Sequence, residues 1–445
     1  MKGIKTKIAV AAVLASTAAT AQVLDVSPYS WYGLGSTVSG AAPAQILSGG
    51  GTAAYSSPLY FNPVQPAALG RLKYTTFDLG GSYQGLRYQN ADTALYRATG
   101  GFQNIYLAFP LAKGLGFSAG FQPATTVGYH LSTVVDLPDF GPAKYTYRGT
   151  GGLTQAHVAL GWSPVRYISI GGRGSYHFGT LSKSTLLDFG DPRLLNVGAR
   201  EETAYSGWQW VGGAQAALPL GKRNELEMGY TLSLNTSLSG LQTALQYTLL
   251  NNGSAVPTYR DTAWAVVDTP GVAQLPHDQR IGIRWVKKSL GSNLDAWTLS
   301  AEWQQSATSL ASGFTPQGGS STFPYAQDAR SWRAGATVVP ALAFPQAGFR
   351  SSPSQWQYSA GVGRVGTGLV LNGETLVRWN ASAGITIPLG TRSVLPGDLK
   401  FAALHLGANW ESMGTTRAGL IREDQLRMVV GLTLNDQWFQ KFKYR

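Results

Sequence analysis

The feature that most constrains this chain is a strict alternation of residue types along its C-terminal third. Between positions 377 and 387, every second residue is apolar: Val377, Trp379, Ala381, Ala383, Ile385 and Ile387. The residues between them are polar or glycine, and the last strand repeats the pattern from Leu426 to Leu434. A strand with this period has one apolar and one polar face. The recurrence of such strands predicts an all-β protein, a transmembrane antiparallel β-barrel that is apolar outside and polar inside.

Periodicity and turn residues together predict about fourteen strands, an even number as in bacterial barrels. Their expected spans are 72–88, 97–111, 115–132, 144–163, 166–186, 200–219, 223–242, 277–288, 295–311, 327–340, 354–367, 373–388, 398–414 and 421–436. Long and short links alternate, which is the asymmetry of extracellular loops and periplasmic turns, so both termini are expected in the periplasm. The long loop expected at 243–276 is rich in apolar residues. It is therefore the expected surface for contact with other molecules.

The first residues have the composition of a secretory signal peptide. Three lysines precede a short apolar run, and Ala19-Thr20-Ala21 offers a small-x-small cleavage site. An uncleaved anchor helix is the alternative, but the run is too short to span a bilayer. We expect cleavage after Ala21 and delivery to the outer membrane. The chain then divides into a signal peptide at 1–21, an N-terminal hatch or plug segment at 22–71 and a transmembrane β-barrel at 72–445.

Composition agrees with a barrel and excludes several other classes. Only 13% of the residues are charged and 55 of 445 are glycine, whereas soluble domains carry about 25% charged residues. A formal charge of +12 can indicate nucleic-acid binding, but here the basic residues are scattered singly and form no patch. Outer-membrane lipid or lipopolysaccharide is the expected partner of this charge, and no nucleic acid is expected. Because the chain has no cysteine, lipoprotein anchoring and disulfides are excluded.

Many tryptophans lie near the ends of the expected strands, mostly on the apolar phase. They are Trp208, Trp210, Trp264, Trp285, Trp297, Trp303, Trp332, Trp356, Trp379 and Trp410. In a soluble β-sandwich these residues would form the core. We favour aromatic girdles at the two membrane boundaries, because the apolar-phase residues between them are small or aliphatic.

Two motifs look like enzyme sites but lack the context that their chemistry needs. The stretch from Gly361 to Gly366 matches G-x-G-x-x-G, yet it continues an alternating strand, and no helix follows to meet a pyrophosphate. His277-Asp278 lies at an expected extracellular strand start, where one adjacent pair is more often a solvated loop end. The five histidines are dispersed, without metal-ligand spacing. We therefore predict no enzyme activity, no cofactor and no metal site.

Ten charged residues fall on the polar phase of their strands and are expected to line the lumen. They are Asp78, Arg173, Glu227, Arg280, Arg284, Glu302, Arg333, Arg378, Glu411 and Arg427. A buried charge without a partner is costly, so these groups should meet carboxylates, carbonyl groups of the N-terminal segment or water. They could form a structural network or line a polar path. The network is favoured, because a barrel of this size with a folded N-terminal segment leaves little open channel.

Both ends of the chain resemble the FadL-like outer-membrane barrels, the long-chain fatty-acid transporter-type family. The resemblance at the N-terminus lies in SPYSWYGLGS at 27–36, SGGGTAAYSSPLYFNPVQPAAL at 48–69 and YTTFDLGGSY at 74–83. The C-terminal stretch at 419–445 is similar to the ending of a Bacteroidota branch of this family. The resemblance implies fourteen strands and a Gly/Ala-rich hatch before the first of them.

The family's hatch carries an Asn-Pro-Ala element, which this chain matches in part. Asn62 and Pro63 fit, Val64 replaces the alanine, and Pro66 follows. The resemblance implies passive transport of hydrophobic small molecules, with a blocked lumen and a strand kink that opens sideways to lipid. Relatives in this branch also include barrels that hold partners, so the alternative is a non-transporting scaffold subunit of an outer-membrane secretion or assembly complex. Candidate partners are therefore hydrophobic small molecules or other outer-membrane or periplasmic proteins.

Overall fold

The structure is a computed structural model of the chain. It describes residues 27–91, 93–138, 140–191, 193–234, 236–250, 258–288, 295–317, 319, 326–340, 352–391 and 401–436. The expected signal peptide and the first residues that follow it lie outside these ranges.

Most of the described residues belong to β-strands, as the alternation predicts. The strands are β1 Ser36–Thr37, β2 Thr75–Gln89, β3 Ala94–Ala112, β4 Leu115–Leu137, β5 Gly141–Val165, β6 Ile168–Asp188, β7 Leu195–Pro219, β8 Asn224–Ser233, β9 Thr236–Leu250, β10 Thr258–Leu275, β11 Asp278–Lys288, β12 Asp295–Ser306, β13 Thr315–Pro316, β14 Ala329–Val338, β15 Gln357–Leu371, β16 Glu374–Thr391, β17 Phe401–Met413 and β18 Arg422–Asp436. The helices are short: one α-helix, α1 Pro43–Leu47, and the 3-10 helices Pro28–Trp31, Pro66–Arg71, Thr308–Leu310 and Pro353–Gln355.

The strands close into a barrel of fourteen antiparallel crossings. The last strand, β18, pairs with β2 from Arg422↔Gln89 to Asp436↔Thr75, so the wall has no free end there. Two crossings consist of two segments each, β8 followed by β9 and β10 followed by β11. The predicted fold class and strand number are therefore confirmed. Among the described residues, no helix has the length and hydropathy of a membrane-spanning helix.

One side of the barrel extends far beyond the membrane. Strands β4 to β7 have 21 to 25 residues, whereas about 9–11 residues suffice to cross a bilayer. β9 and β10 pair from Thr236↔Leu275 to Leu250↔Thr258, and we call residues 241–250 and 258–270 the outer hairpin. The prediction of a long loop at 243–276 is therefore wrong. Side chains from Tyr259 to Asp268 are exposed on both faces, so no apolar/polar alternation marks this strand.

A belt of exposed apolar side chains surrounds the membrane-crossing part of the barrel, with tryptophans at its two boundaries. At the periplasmic end, the rings of Trp285 and Trp297 meet at 5.0 Å between centroids. At the outer end, Trp332 and Trp379 meet at 6.0 Å. Trp264 departs from the prediction, because it lies on the outer hairpin and not in a girdle.

Residues 27–71, which we call the N-terminal segment, pack against the inward-facing side chains of many strands. Leu34 joins a buried cluster with Val127, Leu153 and Leu238 from three different strands. Near the other end of the segment, Leu69 joins a second buried cluster. The interior of the barrel is therefore built from residues of both the wall and the segment.

Candidate functional site

Glycines surround the N-terminal segment at one level of the wall. Many of them are cross-strand partners of each other, and we call this set the glycine ring: Gly80, Gly116, Gly161, Gly171, Gly213, Gly229, Gly282, Gly335, Gly361, Gly384, Gly407 and Gly431. A Cβ atom at Gly171 would lie 2.5 Å from the carbonyl carbon of Pro66, and one at Gly431 would lie 2.6 Å from Cβ of Pro43. At these glycines the backbone of the wall lies so close to the N-terminal segment that a side chain on the wall residue would collide with the segment.

The glycine ring also explains the stretch that matches a dinucleotide fingerprint. Gly361 faces inward, and a Cβ atom there would collide with the backbone of Gly49 in the N-terminal segment. The stretch lies in β15 and pairs with strands on both sides. Gly361 thus allows two backbones to approach closely, and this contact, not phosphate binding, accounts for the glycine.

Asn62, Pro63 and Pro66, the residues of the expected hatch motif, hold the segment's turns together. The amide nitrogen of Asn62 donates to the carbonyl oxygens of Thr52 and Tyr55, both at 2.8 Å. Its amide oxygen accepts from two backbone N–H groups that follow it. The Pro63 carbonyl oxygen accepts from Arg173 Nη1 at 2.6 Å, and Pro66 begins the 3-10 helix that lies on the glycine ring.

Glu302 binds the backbone of the N-terminal segment directly. Its Oε2 accepts hydrogen bonds from the N–H groups of Thr52 and Ala53, both at 2.6 Å. Its Oε1 pairs with Arg333 Nη1 at 3.2 Å. Glu302 is 4% exposed, so the carboxylate is balanced by one cation and two backbone donors inside the protein.

Arg284 is the centre of a second buried cluster. Its guanidinium pairs with Glu227 at 2.7 Å and with Asp295 at 2.8 Å. The same group donates to the Ser56 carbonyl oxygen at 2.9 Å. Arg71 of the N-terminal segment lies 3.5 Å from Glu227. Segment and wall therefore share one network of charges.

Arg280 lies beside the Glu302–Arg333 pair, because Gln304 hydrogen-bonds to both Asp278 and Arg333, whereas Arg378 and Arg427 lie elsewhere on the wall. Arg280 pairs with Asp278 at 2.9 Å, and Arg378 lies 3.6 Å from Glu411. Arg427 Nε donates to the Gln84 amide oxygen at 3.0 Å. The ten candidates therefore form several clusters around the interior and do not converge on one site.

Among the residues that the structure describes, the hydrogen-bond partners of Asp78 are all neutral side chains. Its carboxylate accepts from Asn104 and Thr433, each at 2.7 Å. The Thr433 hydroxyl also contacts His405 Nε2 at 2.8 Å, and His405 Nδ1 lies 2.8 Å from the Thr386 hydroxyl. Sequence reasoning missed this chain of hydrogen bonds, because its members come from five strands and carry no common spacing.

Asp278 of the His277-Asp278 pair is engaged in structural contacts. Its carboxylate accepts from Arg280 and, at 2.7 Å, from the amide nitrogen of Gln304. The expected solvated loop end is wrong for Asp278, whose side chain is only 20% exposed. Within the described ranges, no three His, Asp or Glu side chains cluster in a way that could hold a metal ion.

The β3/β4 seam parts halfway up the wall. The ladder between these strands runs from Ala112↔Leu115 to Ile105↔Phe121, although both strands continue outward. β1 of the N-terminal segment pairs with the edge of β4 instead, as Ser36↔Thr126 and Thr37↔Thr125. The segment thus supplies hydrogen bonds that the neighbouring strand does not make.

A cavity of about 290 Å³ lies above the N-terminal segment. Its walls combine aromatic and aliphatic side chains with polar ones: Trp31, Tyr32, Leu181, Lys183, Glu201, Thr203, Tyr205, Gln242 and Phe314. Lys183 Nζ donates to the Trp31 carbonyl oxygen at 2.9 Å, which fixes one polar wall to the segment. The cavity is at the small end of ligand-binding pockets.

Solved structures with the same fold include a FadL homologue and two toluene transporters. A FadL homologue of Pseudomonas aeruginosa superposes with a TM-score of 0.55 at 13% identity, over 92% of this chain and all of that one. The toluene transporter TodX of P. putida gives 0.53 at 12% identity, over 91% and 100%. The toluene transporter TbuX of Ralstonia pickettii gives 0.50 at 13%, over 90% and 99%. At such identities the likeness shows the fold alone, that of FadL-type barrels.

Sequence comparison gives the family. A search of curated proteins finds no match. The family model described as BamG matches residues 3–445, which is almost the whole chain. This chain, an outer-membrane-type barrel with the FadL fold, belongs to the BamG family.

Proposed function

We propose that this protein is a non-transporting, partner-binding subunit of an outer-membrane assembly. The outer hairpin carries the proposal, because it presents large apolar side chains beyond the membrane belt. Tyr259, Trp264 and Val267 are 55%, 52% and 66% exposed. Aromatic residues of this kind are enriched in the centres of protein interfaces, and exposed apolar patches mark interaction sites. The occupant of this surface is another exported or outer-membrane protein.

The contacts of the lumen support a role without transport. The N-terminal segment is bound to Glu302 through two N–H groups and to Arg284 through a carbonyl oxygen. Moving the segment would remove two hydrogen bonds from the buried Glu302 carboxylate and one from the Arg284 guanidinium, and each lost hydrogen bond to a charged group costs about 1.5–3 kcal/mol. Sites for apolar ligands are lined mainly by apolar side chains, whereas this interior is rich in charge pairs.

Site-specific photo-crosslinking in intact cells tests the proposal. A crosslinker at Val267 should give one discrete adduct with a protein that also co-purifies in fixed ratio with the wild-type barrel. Trp264→Ser should reduce that ratio. The matched control is Glu202, which lies on the neighbouring strand β7 and is 47% exposed in its side chain. The proposal fails when Val267 and Glu202 give the same adducts, or when Trp264→Ser and Glu202→Ser retain the same co-purified amount.

Passive transport of hydrophobic small molecules is the second candidate, and the parted β3/β4 seam favours it. A gap in the wall at this height would let an apolar molecule move sideways from the cavity into lipid. The two toluene transporters share the fold, and the cavity has aromatic walls. Uptake of toluene into proteoliposomes, compared with empty liposomes, distinguishes the two functions. Uptake above the control would reject the non-transporting role.

We also propose that residues 22–71 form a hatch between the signal peptide at 1–21 and the barrel at 72–445. The contacts of Asn62 and Pro63 support this division. Deleting residues 22–62 should raise single-channel conductance in planar bilayers, because the deletion removes most of the segment that packs in the interior. Unchanged conductance would reject the hatch and favour a periplasmic docking arm.

A further inference from the structure

Two arginines face outward at the outer boundary of the membrane belt. Arg364 on β15 is the cross-strand partner of Trp332 on one side and Trp379 on the other. Cross-strand partners share one face of the sheet, so Arg364 lies on the same outward face as the two indole rings, which meet at 6.0 Å between centroids. Arg330 precedes Trp332 by two residues on the same face and is exposed. Diagonal neighbours of this kind lie about 7–8 Å apart, so both guanidinium groups can reach one anion.

Neither arginine has an ion pair among the residues that the structure describes. Two acids at the outer ends of this part of the wall are engaged in other contacts: Asp424 accepts from Arg422 and from Ser412. Asp328 accepts from the hydroxyl and N–H groups of Ser309. Within the described part of the chain, the two cations therefore stand at a lipid boundary without a salt-bridge partner.

A cation at the edge of the hydrocarbon layer requires a partner from its surroundings. Tryptophans mark the depth of the lipid headgroups, and a charge that faces lipid is costly unless it is paired or reaches the interface. Guanidinium groups match phosphate oxygens with two parallel hydrogen bonds. The outer leaflet is thus the source of the missing anion.

We propose that Arg330 and Arg364, flanked by Trp332 and Trp379, form a binding site for the phosphate group of an outer-leaflet glycolipid. The indole rings pack on the lipid's acyl and sugar parts, while the two arginines bind the phosphate. The site holds one lipid on the β14–β16 side of the barrel. It is independent of the outer hairpin and of the interior.

The test measures how far added lipid raises the temperature at which the folded gel band is lost. Purified full-length barrel is heated alone and in the presence of diphosphorylated lipid A, dephosphorylated lipid A, phosphatidylglycerol or inorganic phosphate, and the temperatures are compared. The variant carries Arg330→Gln and Arg364→Gln. The matched control is Arg166→Gln, an exposed arginine beside Tyr167 at the periplasmic turn.

Diphosphorylated lipid A should give the largest upward shift for the wild type and for Arg166→Gln. The double variant should lose most of that shift and should keep the wild-type temperature without lipid. An equal shift in the double variant would overturn the assignment of the residues. An equal wild-type shift with dephosphorylated lipid A, phosphatidylglycerol or inorganic phosphate would overturn the assignment of the ligand.

Discussion

Gly171 and Gly172 provide a direct test of whether the glycine ring holds the N-terminal segment. Both lie on β6, and they point to opposite faces of the wall. A Cβ atom at Gly171 would lie 2.5 Å from the carbonyl carbon and 2.7 Å from the next nitrogen, in the peptide bond between Pro66 and Ala67. A Cβ atom at Gly172 would meet nothing within 4 Å. The substitution Gly171→Ala should therefore displace the segment, while Gly172→Ala should not.

The magnitude follows from the atoms that must move. The atoms that the new methyl group would meet belong to the backbone of Pro66 and Ala67, which cannot rotate away as a side chain can. The 3-10 helix Pro66–Arg71 must therefore shift as a unit. Overpacking by one methyl group costs about 1–3 kcal/mol. This energy corresponds to roughly a 5- to 150-fold change in the equilibrium between the seated and displaced segment. The alanine's effect on strand propensity is common to both variants and cancels in the comparison.

Hydrogen exchange measures this equilibrium residue by residue. The amides of Ala68 and Leu72 donate within the helix and its end, and their exchange should accelerate by the same factor in Gly171→Ala. In Gly172→Ala they should exchange as in the wild type. Equal protection of these amides in both variants would refute the idea that close approach at the glycine ring seats the segment.

Two charge substitutions test the interior network through the temperature at which the folded gel band is lost. Glu302→Gln should lower this temperature strongly, because Arg333 is left buried without its carboxylate partner, a loss of about 3–5 kcal/mol. The control is the exposed pair Arg200–Glu202, where Glu202→Gln should cost about 1 kcal/mol or less. Arg378→Leu should also lower the temperature, because Glu411 loses a cation at 3.6 Å. Its neighbour Trp379→Leu, at the lipid boundary, should leave the temperature nearly unchanged, and the reverse order would contradict the assignment of the two faces.

The alternation of polar and apolar residues predicted those strands that have a polar face toward the interior and an apolar face toward lipid. In β16, Trp379 is 50% exposed, while its neighbour Arg378 pairs with Glu411. The same reasoning failed at the outer hairpin. There, residues 259–268 of β10 are exposed on both faces of the strand, and the apolar residues follow no period. A strand of this kind is defined by its pairing with β9, and the pairing of two strands cannot be read from local hydropathy.

The partners of the interior charges could be predicted by type but not by identity. Carboxylates and carbonyl groups of the segment were expected, and Arg284 contacts both Glu227 and the Ser56 carbonyl oxygen. Which groups meet depends on the path of the N-terminal segment through the barrel. That path brings Ser56 to a strand more than two hundred positions later in the sequence, and no local pattern encodes it.

The glycines illustrate the same limit from the side of the backbone. In the sequence, Gly361 is one of many strand glycines, and curvature of the wall is a sufficient reason for it. In the structure, its role depends on Gly49, which lies against it with no side chain on either residue. Two glycines that face each other allow a hydrogen-bonded wall and an irregular segment to touch through their backbones. An alanine at Gly361 would therefore affect the segment even though the strand itself could accept it.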